Sequence, residues 1–401
     1  MIAATHAAAG AAREAWDGLV IGGGPAGAAA TLRLARQGWR VLLVDRSDFP
    51  RPKVCGCCLS AAAIQELSAL GLPEGGLPQG VPLGVVRLVA AGSEARIALP
   101  AGATMSREAL DAGLVQAAIA AGAAWIPGLT AQGIDVGDDG VATVTVRPAG
   151  TGPVGLRARV VVIAAGLADA IRIGSSTASP AGVAAGRLQR SAPARRIGLG
   201  ATLPADAADL PAGELVMAVG REGYVGLVRL EDERLDVAAA VAPALIHAAG
   251  SPVAAIAALL ADACGPGRSL VSAAALHTTC VRATPPLTHA SPLAADRYGS
   301  VVRIGDAAAY VEPFTGEGIG WALASARIFV AAATTAGPAT LAARYQAGHA
   351  RLFSARHARC LGVARVVRHP RLLAGAVRLA RVAPRVAACV VPWIVGGGRL
   401  P

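Results

Sequence analysis

The chain has 401 residues, carries a net charge of +11 and is 54% hydrophobic but only 3% aromatic. The hydrophobic content allows a large core and excludes disorder of the whole chain, and the scarcity of aromatic residues argues against a nucleic-acid partner bound by base stacking. The length corresponds to two or three structural units at roughly 150 residues each.

The first predicted unit is a strand, a helix and a second strand. Residues 17–22 form a short apolar segment, residues 25–37 are rich in alanine, and residues 41–45 are apolar again. This order within roughly 30 residues is that of a βαβ unit, the smallest nucleotide-binding module.

A glycine pattern lies at the junction of this strand and helix. Gly22, Gly24 and Gly27 form G-x-G-x-x-G, which suits a tight turn, close approach of the backbone to a pyrophosphate, and close packing of helix on strand. Asp45 ends the second strand, where an acidic residue binds ribose hydroxyls. A glycine-rich turn in an ordinary βα unit is the alternative, but strand, helix and acid together favour dinucleotide binding.

The sequence pattern in the middle of the chain predicts further strands and helices. They are a strand pair at 83–99 turning at 92–93, a helix from Ser106 as N-cap toward 120, strands between 123 and 163 with a hairpin turn at 137–140, a second sheet over about 195–243, and a helix at 252–264.

A second nucleotide-binding signal follows near residue 300. A strand at 301–304 precedes Asp306, whose carboxylate could bind a ribityl or ribose hydroxyl. Gly318 then begins an alanine-rich helix after a glycine-containing loop. Backbone N–H groups and the positive helix terminus there would suit the edge of a flavin ring.

Together these motifs resemble those of FAD-dependent oxidoreductases in the geranylgeranyl reductase and aromatic hydroxylase superfamily. The segments that carry the resemblance are GGGPAG at 22–27, FPRPKVCG at 49–56, SREALD at 106–111, VIAAG at 162–166, GDAA at 305–308 and PFTGEGI at 313–319. The resemblance covers roughly residues 17–330 in the correct order, although Ala165 stands where the superfamily usually has Thr.

The resemblance implies an α/β fold: a Rossmann-type FAD-binding domain with an inserted antiparallel β-sheet substrate domain and a helical C-terminus. The corresponding boundaries are an N-terminal extension at 1–16, the FAD-binding domain at 17–194 with strand insertions, mainly substrate-binding sheet and helix at 195–290, the return of the FAD-binding domain at 291–335, and an Arg-rich helical segment at 336–401.

It also implies FAD as the cofactor and NAD(P)H as its electron donor. The candidate FAD-binding residues are Gly22, Gly24, Pro25, Ala26, Gly27, Asp45, Arg46, Arg107, Ala131, Ala165, Gly166, Asp306, Gly316, Gly318 and Ile319.

Cys55 is the first candidate catalytic residue. The resemblance places it beside the isoalloxazine ring of FAD, where its thiol could pack on the ring or relay a proton. Cys57 and Cys58 depart from the Gly or Glu usual there, and their role is left open. Small buried thiols are the structural alternative, and since no second motif supplies further ligands we expect no metal site.

Tyr224 is the second candidate. Residues 223–229 fall where reductases of the superfamily carry a Y-x-W-x-F-P strand along the substrate channel. Tyr224 matches this pattern, whereas Gly226 replaces Trp and Arg229 replaces Pro. Tyr224 could donate a proton or orient the substrate, or it could be a buried, hydrogen-bonded tyrosine of the strand.

Two reactions remain open for a lipophilic small-molecule substrate. We favour an NAD(P)H-driven flavin monooxygenase that hydroxylates an electron-rich ring, because the missing Trp opens space above the flavin and makes an isoprenoid substrate less suitable. The alternative is an ene-reductase of the geranylgeranyl reductase type, which the 49–56 and 313–319 segments favour. A halogenase is disfavoured by the absence of W-x-W-x-I-P, and a non-catalytic flavin-binding module is the remaining option.

The positive charge is concentrated after Glu317, where twelve arginines and no acidic residue follow. Arginines recur every seven residues, at Arg371, Arg378 and Arg385. Pro384 is expected to kink or end this helix, and residues 386–398 are apolar. The segment could be a helix on the protein's own surface, or it could attach peripherally to an anionic membrane.

The sequence favours a cytoplasmic protein. Seven cysteines are too few for a disulfide scaffold of this length, and the first residues lack the basic region of a signal peptide. No uncharged run convincingly reaches the roughly 20 residues that span a bilayer.

Overall fold

The computed structural model describes residues 2–174, 196–287, 289–294, 299–312, 314–335 and 338–383. The helices are α1 (Ile2–Ala11), α2 (Pro25–Arg36), α3 (Ala61–Ser68), α4 (Arg107–Ala120), α5 (Pro243–Ala249), α6 (Pro252–Cys264), α7 (Ala273–His277), α8 (Gly318–Thr335), α9 (Pro338–Val367) and α10 (Pro370–Val382). The strands are β1 (Ala15–Ile21), β2 (Val41–Val44), β3 (Cys58–Leu59), β4 (Val81–Ala90), β5 (Ser93–Thr104), β6 (Ala124–Ile126), β7 (Leu129–Val136), β8 (Ala142–Pro148), β9 (Val154–Ile163), β10 (Arg172–Ile173), β11 (Ile197–Leu203), β12 (Glu214–Gly220), β13 (Gly223–Arg229), β14 (Leu235–Val241), β15 (Arg282–Pro286), β16 (His289–Ala290), β17 (Val301–Arg303) and β18 (Ala309–Tyr310).

The first sheet contains the predicted βαβ unit. Its order is β10-β7-β8-β9-β1-β2-β6, and β17 pairs with β9. Strands β1, β2, β6, β9 and β17 run parallel, whereas β7, β8 and β9 pair antiparallel. Because parallel strands end at one edge, the loops after β1, β2, β9 and β17 meet where an open α/β sheet binds its ligands.

Helix α2 covers one face of this sheet and packs against α4 and α8. The large buried side chains of this layer are Leu32, Leu34, Leu110, Leu114 and Phe329. Helix α8 is long and apolar enough to cross a membrane, but 61% of it is buried inside the protein. Its apolar character is therefore accounted for by its position in this core.

On the other face of the sheet, side chains of β7 and β8 form a second core together with α1. Ala8 and Trp16 are buried in this second core, and the indole N–H of Trp16 donates to the carbonyl of Ala11 at 3.1 Å. The N-terminal segment that we interpreted as an extension therefore packs on the sheet, and β1 begins at Ala15.

The second sheet has the order β15-β11-β14-β13-β12-β4-β5-β3. Its neighbours are antiparallel except β4 and β12. We expected this sheet within residues 195–290, but β3, β4 and β5 join it from residues 58–104. Pairing of β4 with β12 satisfies the backbone groups along an edge that would otherwise be unpaired. Helix α6 covers one face of the sheet, and the opposite face looks onto a cavity.

Most of the predicted elements are confirmed, and so is the fold class. Ser106 caps α4 by accepting a hydrogen bond from the N–H of Ala109 at 3.1 Å, and the turn at 137–140 joins β7 to β8. Helices α9 and α10 begin at prolines. The expected kink at Pro384 and the apolar run at 386–398 lie outside the described residues.

Candidate functional site

A cavity of about 1200 Å³ lies between the two sheets. It is larger than the roughly 300–1,000 Å³ usual for one small molecule, as expected of a space shared by a cofactor and a substrate. Of the candidate residues from the sequence, all but Gly27 line it: Gly22, Gly24, Pro25, Ala26, Asp45, Arg46, Cys55, Arg107, Ala131, Ala165, Gly166, Tyr224, Asp306, Gly316, Gly318 and Ile319.

Gly27 lies behind the cavity wall, where it sets the distance between α2 and β1. A Cβ built on Gly27 would be 1.9 Å from the carbonyl oxygen of Gly22. Only glycine therefore lets the helix lie this close to the turn.

The N-terminus of α2 opens onto the cavity. Gly24 is its N-cap residue, Pro25 occupies the first turn, and no side chain caps the helix. The N–H groups of this first turn have no side-chain acceptor, which is the state of a helix end that binds an anion. A Cβ on Gly24 would meet only the Arg107 guanidinium, at 3.7 Å. The space beside Gly24 therefore fits a pyrophosphate.

Asp45 holds the glycine turn against β2. Its Oδ2 accepts a hydrogen bond from the N–H of Gly23 at 2.8 Å, and its Oδ1 accepts one from the N–H of Ser47 at 2.9 Å. The predicted ribose-binding carboxylate thus also orders the loop above β1.

Positive charge converges on this end of the cavity. Arg107 donates to both carboxylate oxygens of Asp111, at 2.9 and 2.8 Å, and Arg51 lies 3.6 Å from the carboxylates of Asp45 and Asp111. Burial, with the charges of Arg107 and Arg51, lowers the pKa of Lys53. Such a cluster suits a diphosphate, which would offset the mutual repulsion of these cations.

Asp306 follows β17 and reaches the same end of the cavity. Burial raises the pKa of Asp306 to about 6, although Arg107 and Lys53 act to lower it. A Cβ on Gly305, whose φ is +59°, would lie 2.8 Å from the Cβ of Ala26. This close approach brings the Asp306 turn against the start of α2.

Three thiols form a cluster in the loop that lies across the second sheet. The N–H of Cys57 donates to the sulfur of Cys55 at 3.4 Å. A hydrogen bond from the Cys57 thiol, together with the charge of Arg107, lowers the pKa of Cys55 to about 5 despite its burial. The hydrogen bond to Cys55 and burial raise the pKa of Cys57, and burial raises that of Cys58. The pKa shifts of the three thiols therefore differ in direction, downward for Cys55 and upward for Cys57 and Cys58.

Asp236 on β14 lies behind the thiol cluster. Burial and the charge of Cys55 raise the pKa of its carboxyl group well above the ordinary range. Its Oδ2 has no hydrogen-bond partner among the described residues. Asp236 is thus a buried carboxyl group close to Cys57, and no local sequence pattern signals this proximity.

Tyr224 lies on the cavity face of the second sheet. Tyr224 and Gly226 alternate with Val225 on β13, so both look toward the cavity. The Tyr224 ring packs edge-on against Phe314, with 5.1 Å between ring centroids. Its hydroxyl is buried and has no hydrogen-bond partner among the described residues. Burial and nearby Glu312 raise the pKa of Tyr224, so the hydroxyl stays protonated.

A buried ion-pair network beside Tyr224 was not predicted. Both carboxylate oxygens of Glu312 are paired, with Arg196 at 2.7 Å and Arg368 at 2.6 Å. The Arg196 guanidinium also lies 5.7 Å from the centroid of the Tyr224 ring. The pairs join positions 116 and 56 residues apart, so no local pattern signals them. Asp111 could have been found, because it lies one helical turn after Arg107.

Cys55 is expected to react with iodoacetamide at a rate that rises through a midpoint near pH 5 in the FAD-free protein, since only the thiolate attacks. Cys57→Ala removes the donating thiol but keeps the Cβ, so it should move this midpoint to higher pH. Brief labelling across a pH series, with mass spectrometry to identify the modified site, gives both curves. An ordinary cysteine midpoint in the wild type, or an unchanged midpoint in Cys57→Ala, would contradict the assignment.

Comparison with known proteins identifies the domain that contains the glycine turn. The FAD binding domain family profile matches residues 15–177. Menaquinone reductase of Mycobacterium tuberculosis is 50% identical over 56 residues, and this match covers 14% of this chain and 14% of that protein. The sequence match to this relative is thus confined to a short segment.

Solved structures share the fold over most of the chain. A geranylgeranyl bacteriochlorophyll reductase-like protein of Thermoplasma acidophilum superposes with a TM-score of 0.71 at 18% identity, covering 92% of each chain. The myxobacterial chondrochloren halogenase superposes with a TM-score of 0.66 at 19% identity, covering 86% of this chain and 81% of that chain. Residues 15–177 therefore form an FAD-binding domain, and most of the chain shares the fold of these two solved structures.

Proposed function

We propose that this FAD-dependent oxidoreductase is a monooxygenase that hydroxylates an electron-rich, oxygen-bearing ring attached to an apolar chain, with NAD(P)H as electron donor. The residues around the cavity suit two adjoining compartments, one for FAD and one for the substrate. Bound FAD would supply the redox chemistry, and the protein would supply binding, orientation and exclusion of water.

In the cofactor compartment, the uncapped N-terminus of α2 and the cations Arg107 and Lys53 would bind the diphosphate. Asp45 would bind the ribose and Asp306 the ribityl chain. The first backbone N–H groups of α8, at Gly318 and Ile319, would bind the edge of the flavin ring. Cys55 would then lie at the junction of the two compartments.

The substrate compartment is predominantly apolar. Side chains of both the second sheet and α10 line it, among them Leu88, Ile97, Met217, Leu373 and Leu379. Such a surface offers an aliphatic chain about 25 cal/mol of stabilisation for each Å² removed from water. It offers little stabilisation to a highly polar substrate.

The unpartnered hydroxyl of Tyr224 is the observation that carries this proposal. A buried hydroxyl without a partner costs about 1–3 kcal/mol, so the compartment suits a ligand that brings a polar atom to Tyr224. A phenolic oxygen would accept its hydrogen bond, whereas the double bond of a hydrocarbon chain has no such acceptor. Next to it, Gly226 leaves room for a ring.

A second candidate function is the reduction of a carbon–carbon double bond. The thiol cluster favours it, because Cys57 and Asp236 hold protons beside Cys55 and double-bond reduction needs a proton donor. The short match to menaquinone reductase favours it as well. In that case Cys55 would first take a proton from the Cys57 thiol and then pass it to the substrate.

The two reactions are separated by testing the FAD-loaded protein with 4-nonylphenol and with a prenylated naphthoquinone. Hydroxylation predicts substrate-dependent NAD(P)H oxidation, oxygen uptake in equal amount, and a product that gains one ¹⁸O atom under ¹⁸O₂. A product that, after reoxidation of its ring to the quinone, still carries two added hydrogens in the prenyl chain would establish the reductase instead, in a reaction under argon with chemically reduced FAD. Turnover of neither probe under either condition would count against both reactions.

Replacing Tyr224 by Phe should weaken turnover of the phenol by roughly 2- to 13-fold, which corresponds to one hydrogen bond of about 0.5–1.5 kcal/mol. The FAD content and the melting temperature of the ligand-free protein should not fall, because the hydroxyl has no partner there. Tyr310→Phe, which removes another tyrosine hydroxyl of the cavity wall, is the matched control. Wild-type kinetics combined with a lower melting temperature would assign Tyr224 a structural role.

Replacing Gly24 by Val should remove FAD without unfolding the protein. Gly24 has an extended backbone with φ −72°, and its Cβ would face open space. The branched side chain would occupy the pyrophosphate position, and overpacking by about 1–3 kcal/mol corresponds to roughly 5- to 150-fold weaker binding. FAD titration and thermal melting of the FAD-free protein measure the two effects separately.

Gly27→Val is the matched contrast, because its Cβ would overlap the Gly22 carbonyl and should lower the melting temperature of the FAD-free protein itself. If Gly24→Val purifies with the FAD content of the wild type, the pyrophosphate does not lie beside α2.

A further inference from the structure

Exposed apolar side chains are concentrated on the last described elements. Five large hydrophobic residues are exposed in the described part of the chain, and four of them lie at the end of α9 or on α10. Their exposed fractions are 48% for Val366, 63% for Leu372, 60% for Leu379 and 84% for Val382. Exposed hydrophobic residues are unremarkable when scattered singly, but a cluster indicates an interaction surface.

Helix α10 is apolar on two sides. Leu373, Val377 and Ala380 are buried, and the helix packs on β4 and β5 of the second sheet. Leu372 and Leu379 are seven residues apart and therefore share another face of the helix, which points outward. The packing of the fold explains the first side and leaves the second unexplained.

The outward face is continuous with the substrate compartment. Leu379 is largely exposed and also lines the cavity, together with the neighbouring Ala376 and Ala383. One side chain thus belongs both to the outer surface of α10 and to the wall of the cavity. The apolar outer surface therefore lies at an opening of the cavity.

The charge on this surface has one sign. Arg378 and Arg381 are exposed on α10, and no acidic residue follows Glu317 in the sequence. Exposed leucine and valine beside arginine, without acidic residues, are typical of a helix that lies in the interface of an anionic bilayer. A second copy of the chain fits less well, because pairing of α10 with itself would bring like charges together.

We propose that α10 docks on an anionic lipid surface and places the opening of the cavity against the bilayer. Leu372, Leu379 and Val382 would enter the interface, while Arg378 and Arg381 would contact the headgroups. A lipophilic substrate would then pass from the bilayer along Leu379 into the cavity, a step that rests on the function proposed above. The docking itself does not depend on the reaction.

The test is flotation of the FAD-loaded full chain with vesicles of phosphatidylcholine alone or mixed three to two with phosphatidylglycerol. The wild type is expected to float with the anionic vesicles at low salt, and binding should weaken at high salt because the headgroup contacts are screened. Arg378→Gln with Arg381→Gln should reduce the partition coefficient roughly 30-fold, at the usual contribution of one arginine near such a surface.

Matched controls separate these effects from general changes in charge or apolar surface. Arg147→Gln with Arg172→Gln removes two exposed charges from the first sheet and should leave binding unchanged. Leu372→Ser with Leu379→Ser should abolish flotation at either salt concentration, whereas Ile119→Ser, at the fifth exposed hydrophobic residue, should not. Circular dichroism and FAD content verify that each variant is folded.

The proposal is overturned if the wild type does not float with anionic vesicles, or if the α10 variants float like their controls. It is also overturned if light scattering shows a dimer that the leucine variants convert to monomer, because α10 would then be a self-association surface. Flotation reads no turnover, so failure of the docking proposal and failure of the proposed reaction are distinguishable.

Discussion

The contact between Gly27 and Gly22 determines where the site can be. A Cβ at Gly27 would overlap the carbonyl of Gly22, so helix α2 reaches its position only because Gly27 lacks a side chain. That position directs the uncapped N-terminus of α2 into the cavity between the sheets. The turn at Gly305 also approaches Ala26, with 2.8 Å between a Cβ built on Gly305 and the Cβ of Ala26, and it brings Asp306 to the same end of the cavity. The shape of the cofactor compartment thus depends on close packing at these glycines.

Buried charge determines which groups can react. Arg107 pairs with Asp111 on its own helix, yet the hydrogen bond from Cys57 and the charge of Arg107 both lower the pKa of Cys55. Burial raises the pKa of both Asp236 and Tyr224, and for Tyr224 it outweighs the charge of nearby Arg196. The groups in and behind the cavity wall therefore differ in the direction of their pKa shifts, because burial favours the uncharged form wherever no opposite charge compensates.

The C-terminal helices α9 and α10 also form part of the cavity wall. Glu312 pairs with Arg196, the residue before β11, and with Arg368, the residue after α9. This buried network connects the C-terminal helices to the wall around Tyr224. Breaking a buried pair leaves an uncompensated charge, so the network holds α9 against the sheet. Helix α10 follows directly and contributes both a wall of the substrate compartment and an apolar outer surface.

The sequence by itself determined the elements whose signals lie within a few residues. The glycine spacing, the Ser106 cap and the helix at Pro252–Cys264 depend on local hydrogen bonds and periodicity, and the superfamily motifs placed nearly all of the cofactor candidates in one cavity. Only the tertiary structure decided that β3, β4 and β5 complete the second sheet, that Asp236 lies beside Cys57, and that Glu312 joins two arginines. Those contacts join residues far apart in the chain, and their formation depends on how strands pair and which charges are buried together, which no local pattern records.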